Sequence, residues 1–117
     1  MQDTEIEKSK QHILIEIIDY TSNSITSKTI IRKATGNVCI TAFDYGEMLP
    51  KSISAFDLFI QIIEGDAEIV IDKHSNLLKT GEMIIIPAHS SHFIKANKRF
   101  KMISTVIKSG YEENTLL

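Results

Sequence analysis

Apolar residues come along this chain in short runs, many β-branched and none longer than Met83 to Ile86, broken by polar positions and by Gly, Pro, Asn, Asp and Ser. Runs of that length bounded by turn residues predict strands. Ile13 to Ile18 opens the series. Tyr20 to Thr26, rich in Ser, Thr and Asn, predicts a loop. Ser27 to Ala34 and Asn37 to Phe43 predict two strands separated at Gly36-Asn37, a pair suited to a positive-φ hairpin turn. Within the second, Val38, Ile40 and Ala42 share one face, and Cys39, Thr41 and Phe43 the other.

Asp44 to Pro50 predicts a loop. Leu58 to Glu64 and Asp66 to Asp72 predict strands joined by a turn at Glu64-Gly65. In the second of these, Ala67, Ile69 and Ile71 alternate on one side, with Val70 the apolar exception on the other. Lys73-His74-Ser75 predicts the next turn. Asn76 to Lys79, Met83 to Pro87, His92 to Ala96 and Phe100 to Ile107 complete about nine short strands, with turn signals every eight to twelve residues. No apolar stripe recurs at the helical period. The expectation is an all-β sandwich or barrel with little helix, not a βαβ fold.

The chain is 117 residues long, a length that suits one domain. The barrel core is expected over about 27–108, with an N-terminal arm at 1–12 and a polar tail at 109–117. Neither repeats nor a linker interrupt it. Apolar residues make up 43% and charged residues 24%, with a net charge of -2. That balance excludes the strongly basic footprint of a nucleic-acid binder. Lys95, Lys98, Arg99 and Lys101 form a local basic stretch, read as a solvated loop or an anion-attracting rim.

No apolar segment reaches the length of a membrane-spanning helix, and the N-terminus lacks the apolar stretch of a secretory signal. Cys39 is the single cysteine, so no intrachain disulfide can form, and a cytoplasmic location is expected. Cys39 reads as a small buried strand residue, with no base beside it in sequence to activate it.

Two segments carry the frame of a known family. Gly46, Ser52-Ile53-Ser54, Leu58 and Gly65 keep the spacing of G, five residues, HxH, three or four residues, E, six residues, G. Gly81, Pro87, His89, His92 and Ala96 follow G, five residues, P, x, G, two residues, H, three residues, N, with Asn97 one place after the asparagine position. On these residues the chain resembles the small single-domain cupins, an RmlC-like jelly-roll superfamily. The resemblance implies a double-stranded β-helix barrel.

In that family two histidines, a glutamate and a third histidine usually converge on one divalent metal. The matching positions here are Ser52, Ser54, Leu58 and His92, so the motif is degenerate and only His92 is retained. Serine is a poor ligand for such ions and leucine is none. Asp57, next to the missing glutamate, and His89 are the weak candidates to join His92 in a rescued site. The expectation is no cofactor and no tightly bound metal. His74 and His12 read as surface residues.

Three functions follow as expectations. The first is a barrel pocket for a small organic ligand, with Ser52, Ser54, Asp57, Gln61 and His92 as polar groups and Met48, Phe56 and Phe59 as walls or rim. The second is an enzyme, metal-dependent or using a His92–Asp57 acid–base pair, of isomerase or epimerase type on a sugar or keto acid. The third is a non-catalytic homodimeric interaction or sensory module, with Ile13 to Ile18 covering a partner's sheet edge. Nucleic acid and membrane are not expected as partners.

Overall fold

The computed structural model describes residues 5–111. Eight strands form two layers: β1 (Ile25–Lys33), β2 (Gly36–Phe43), β3 (Met48–Ile53), β4 (Leu58–Ile71), β5 (His74–Lys79), β6 (Met83–Ile86), β7 (Ser91–Lys95) and β8 (Phe100–Ile107). All pairings are antiparallel. One layer runs β1-β2-β8-β4-β6 and the other β5-β4-β7-β3. The barrel predicted from the strand pattern is present.

The strand β4 belongs to both layers. Its first half, Leu58 to Gly65, pairs with β8 and β6, and its second half, Asp66 to Ile71, with β5 and β7. The expected turn at Glu64-Gly65 is therefore a crossing within one 14-residue strand. Gly65 sits there at φ +87°, next to a register shift between Ile62 and Glu64. A positive φ is available to glycine without steric penalty, so the chain changes layer without ending the strand.

Alternation along each strand fills the space between the layers. Ile60 and Ile62 from one half of β4 and Ala67 and Ile69 from the other meet Phe43, Leu78, Ile86, Ile94, Ala96, Phe100 and Met102 in the main core. Phe43 and Phe100 are opposed in register, and their rings stack at 4.4 Å. Loss of a buried aliphatic such as Ile69 from a core of this kind costs about 2–5 kcal/mol.

Several local expectations are corrected. Ile13 to Ile18 is not a strand: a short 3-10 turn spans Leu14–Glu16, closed by the Glu16 N–H donating to the Ile13 carbonyl. The segment lies across the outer face of the first layer, where Ile18 joins Ile40, Ala42 and Ile103 in a second small core. Tyr20 fixes it, donating to Glu64 at 2.8 Å while Arg99 and Lys101 lie over its ring.

The first hairpin turns at Ala34-Thr35, because Lys33 pairs with Gly36. Gly36 has an ordinary φ; its lack of a side chain serves close packing, since a Cβ there would stand 2.4 Å from the Val106 carbonyl oxygen. Met48 to Ile53 forms the edge strand β3, so the loop expected over Asp44 to Pro50 ends before Met48; an edge tolerates Pro50. The β4–β5 turn is Asp72-Lys73, both left-handed, and His74 begins β5. No helix among the described residues is long and apolar enough to cross a membrane. The outer parts of the arm and tail, 1–4 and 112–117, lie outside the described residues.

Candidate functional site

His92 is placed by β7, with Ile71 of β4 opposite on one side and Ser52 of β3 on the other. Residues two apart on a strand share a face. Ile94 belongs to the main core and Ile71 packs against it, so the His92 ring faces the barrel interior. It sits at the end of the layer remote from the Gly65 crossing.

Only 7% of His92 is exposed. Nε2 lies 3.5 Å from the Ser52 hydroxyl, a long contact at the limit of a hydrogen bond. Nδ1 is buried and has no hydrogen-bond partner. Burial lowers the pKa of the imidazole below its usual 6.5; the Ser90 backbone carbonyl opposes that shift without forming a hydrogen bond of ordinary geometry to Nδ1. The ring is therefore held neutral near pH 7. One nitrogen is then a donor and the other an acceptor.

Around this end of the barrel, two loops and Tyr111 are stitched together. The His89 N–H donates to the Ser54 carbonyl at 2.7 Å. The Ala88 N–H donates to Asp57 Oδ1 at 2.8 Å, and the Asp57 N–H to the Tyr111 hydroxyl oxygen at 2.7 Å. Phe56 meets the Tyr111 ring edge-on at 5.3 Å. The Ser54 hydroxyl is engaged with the backbone of Phe56.

Of the residues singled out from sequence, Ser52 and His92 are brought together. Ser54, Phe56 and Asp57 form the adjoining loop. The Asp57 carboxylate is engaged with the Ala88 N–H, and no Asp57–His92 bond forms. His89 is exposed in the β6–β7 turn, at φ +69°. Gln61 and Phe59 do not lie on the face that carries His92. They alternate with buried Ile60 and Ile62 and so face outward, Gln61 lining a groove with Leu14, Ile15 and Met83. Met48 is exposed on the edge strand. Tyr111 was legible only as part of a polar tail, because nothing local in sequence reveals a contact 54 residues away.

No family model and no curated protein sequence matches the chain. Solved structures do. A conserved protein of unknown function from Streptococcus pyogenes superposes with a TM-score of 0.86 at 24% identity, covering 94% of this chain and 96% of that one. A cupin superfamily protein from Desulfitobacterium hafniense gives 0.83 at 21% identity, covering 92% and 98%. The chain has the cupin fold. A cupin 2 conserved barrel domain protein from Leptotrichia buccalis gives 0.78 at 26% identity, covering 81% of this chain and 46% of that longer one.

A metal inside a cupin barrel requires several donors converging on one point. In this barrel Leu58 offers none, the Ser54 hydroxyl is bound to its own loop, Asp57 accepts from the Ala88 N–H, and His89 is exposed in the β6–β7 turn. Among the described residues no group of three or more His, Cys, Asp or Glu is placed to hold a metal ion. The donor set at these positions does not fit a tightly held divalent ion.

Proposed function

We propose that this cupin binds a small organic molecule inside the barrel at His92, without a tightly bound metal. One observation carries the reading: Nδ1 of His92 is buried and unpartnered. A buried polar atom left unsatisfied costs about 1–3 kcal/mol, and such atoms are few in native proteins. A ligand hydroxyl or carbonyl would supply the missing partner. The neutral ring can donate from one nitrogen and accept at the other, with Ser52 beside it, so the group recognised is polar and uncharged at its point of contact. Ile71 and Ile94 supply apolar wall on the same face.

The acid–base reading is weaker for this site. Asp57 makes its hydrogen bond to Ala88, which leaves His92 without a carboxylate to orient it.

The test is a thermal-shift screen of small hydroxylated and carbonyl compounds on the purified protein. A compound bound at His92 raises the apparent stability. His92→Gln and Ser52→Ala, each shown to be folded by circular dichroism, should abolish or weaken that rise. A rise unchanged in both variants places the compound elsewhere and overturns the reading.

A second reading, homodimerisation, rests on a different observation. The outer face of the first layer is only partly covered by the N-terminal segment. Ile13, Met83, Ile85 and Ile107 are exposed, Ile85 by 54%. A second copy packing on this self-complementary apolar face would bury them. Sedimentation equilibrium decides: a dimer that dissociates in Ile85→Lys supports it, and a monomer at all concentrations ends it.

A further inference from the structure

The second layer carries a groove on its outer face, opposite the His92 ring. Its volume is about 280 Å³, and Lys51, Val70, Asp72, Lys73, Ser91, His92 and Phe93 line it. Val70 and Phe93 are paired in register across β4 and β7. By alternation they stand on the other side of the sheet from Ile69 and Ile94, which are buried in the main core. An aromatic ring and a branched aliphatic side chain thus form an apolar floor on a face that strands usually turn to water.

Two backbone irregularities place cations over that floor. The β4–β5 turn holds Asp72 at φ +46° and Lys73 at φ +75°, a region that Asp tolerates and Lys seldom enters. The turn is fixed to β7 by reciprocal bonds. The Asp72 N–H donates to the Ser91 carbonyl at 2.8 Å, and the Ser91 N–H donates to Asp72 Oδ1 at 3.0 Å. On the other side, the register of β3 against β7 shifts between Leu49 and Ser52, and Lys51 lies within that shift.

Charge on this face is uneven. Among the described residues neither Lys51 nor Lys73 has a hydrogen-bond or ion-pair partner. Asp72 is the one acidic group lining the groove, and one of its oxygens is committed to Ser91. The next carboxylate along the same face of β4, Glu68, accepts from Ser75 at 2.6 Å and from Asn97 at 2.7 Å. Two unpaired ammonium groups above an apolar floor suit one ligand chemistry: a flat or branched apolar body ending in a carboxylate or similar anion.

We propose that this outer groove is a second ligand site, selective for small aromatic or aliphatic carboxylates. It is separate from the barrel interior, because the side chains that define it belong to the opposite face of the sheet. The apolar body would lie on Phe93 and Val70, and the carboxylate would reach Lys51 and Lys73.

The test is a titration of the isotope-labelled full chain with 2-naphthoate, followed by amide chemical shifts, beside the neutral isostere 2-naphthylmethanol. The expected result is saturable shifts at Lys51, Val70, Lys73, Ser91 and Phe93. The alcohol and a Lys51→Gln/Lys73→Gln double variant should each bind roughly tenfold more weakly, as two solvated charge contacts allow. Both lysines are exposed, so the double variant is expected to fold. Equal affinity for anion and alcohol, or full affinity in the double variant, overturns the proposal. So does the absence of saturable shifts at these residues. Shifts confined to Ile71, Ile94 and the His92 ring also overturn it, while leaving the interior pocket standing.

Discussion

Gly65 and Arg99 approach so closely that a β-carbon added at Gly65 would stand 2.3 Å from the Arg99 carbonyl oxygen. The same carbon would be 2.9 Å from Phe100 Cα, at a residue already at φ +87°. Gly81 provides the control, with φ +91° and open space around it. Gly65→Ala should therefore combine backbone strain with a clash against main chain, and Gly81→Ala only the strain, roughly 1 kcal/mol. Urea denaturation of the two variants separates them. A Gly65→Ala loss no larger than that of Gly81→Ala would show that β8 can shift to make room.

The buried imidazole gives the fold a pH dependence of known sign. Its folded pKa lies below the ordinary 6.5 because burial penalises the charged form. Between those two values the unfolded chain holds the extra proton, so stability is complete above about pH 6.5 and declines as pH falls toward the folded pKa. The slope from one group is at most about 1.4 kcal/mol per pH unit. Denaturation midpoints from pH 7.5 to 5.5 should fall in the wild type and flatten in His92→Gln. A slope surviving the substitution assigns it to another group.

Replacing His92 by an apolar residue tests the unpartnered nitrogen directly. His92→Leu removes the buried polar atom and keeps much of the volume. In the ligand-free protein at pH 7 it should be stabilising by about 1 kcal/mol. A destabilised His92→Leu would mean that Nδ1 is already satisfied in solution.

Asp57 should behave as a loop residue. Asp57→Ala leaves the Ala88 N–H without its acceptor, at an exposed position where water can substitute. A loss of about 0.5–1.5 kcal/mol is expected. The His92 titration, followed by ring proton shifts, should not move. A displaced titration would restore an electrostatic pairing between the two residues.

Asp44 works at a lower pH. The Asn23 N–H donates to its carboxylate at 2.7 Å and Arg99 at 2.9 Å, which holds its pKa below the usual 3.8. Its contribution is present above that value and lost as pH falls through the lower folded one. Asp44→Asn should lower the Tm at pH 7, and the gap to wild type should narrow as pH falls below 3.8. A constant gap across that range would remove Asp44 from the acid transition.

The strand positions were readable because burial on one face forces a period of two, as at Ala67, Ile69 and Ile71. The fold-family frame was readable for a related reason. Gly65 and Pro87 mark places where the backbone itself is constrained. The misreadings came where tertiary contact overrode local pattern. Ile13 to Ile18 has the composition of a strand, but Ile18 is drawn onto Ile40 and Ile103 instead of into a ladder. Gly36 looked like a turn residue and is a packing residue, a distinction fixed by Val106, 70 positions away. At the site, the Ser52–His92 adjacency is implied by the family resemblance. Gln61 faces outward, not into the barrel as expected, because apolar residues on both faces of Leu58 to Ile63 do not reveal which parity faces inward. The Asp57–Ala88 and Tyr111 contacts have no local signal.

The strand β4 is hydrogen-bonded on both sides in each layer. Neither layer can detach while the other stays folded, since doing so would tear a strand that both share. Amide hydrogen exchange should accordingly find its slowest sites along β4, from Ile60 through Ile69, exchanging together and only through global opening. The outer strands β1 and β3 would open separately and at lower energy, which makes the edge carrying Ser52 the part of the molecule best able to yield to an arriving ligand.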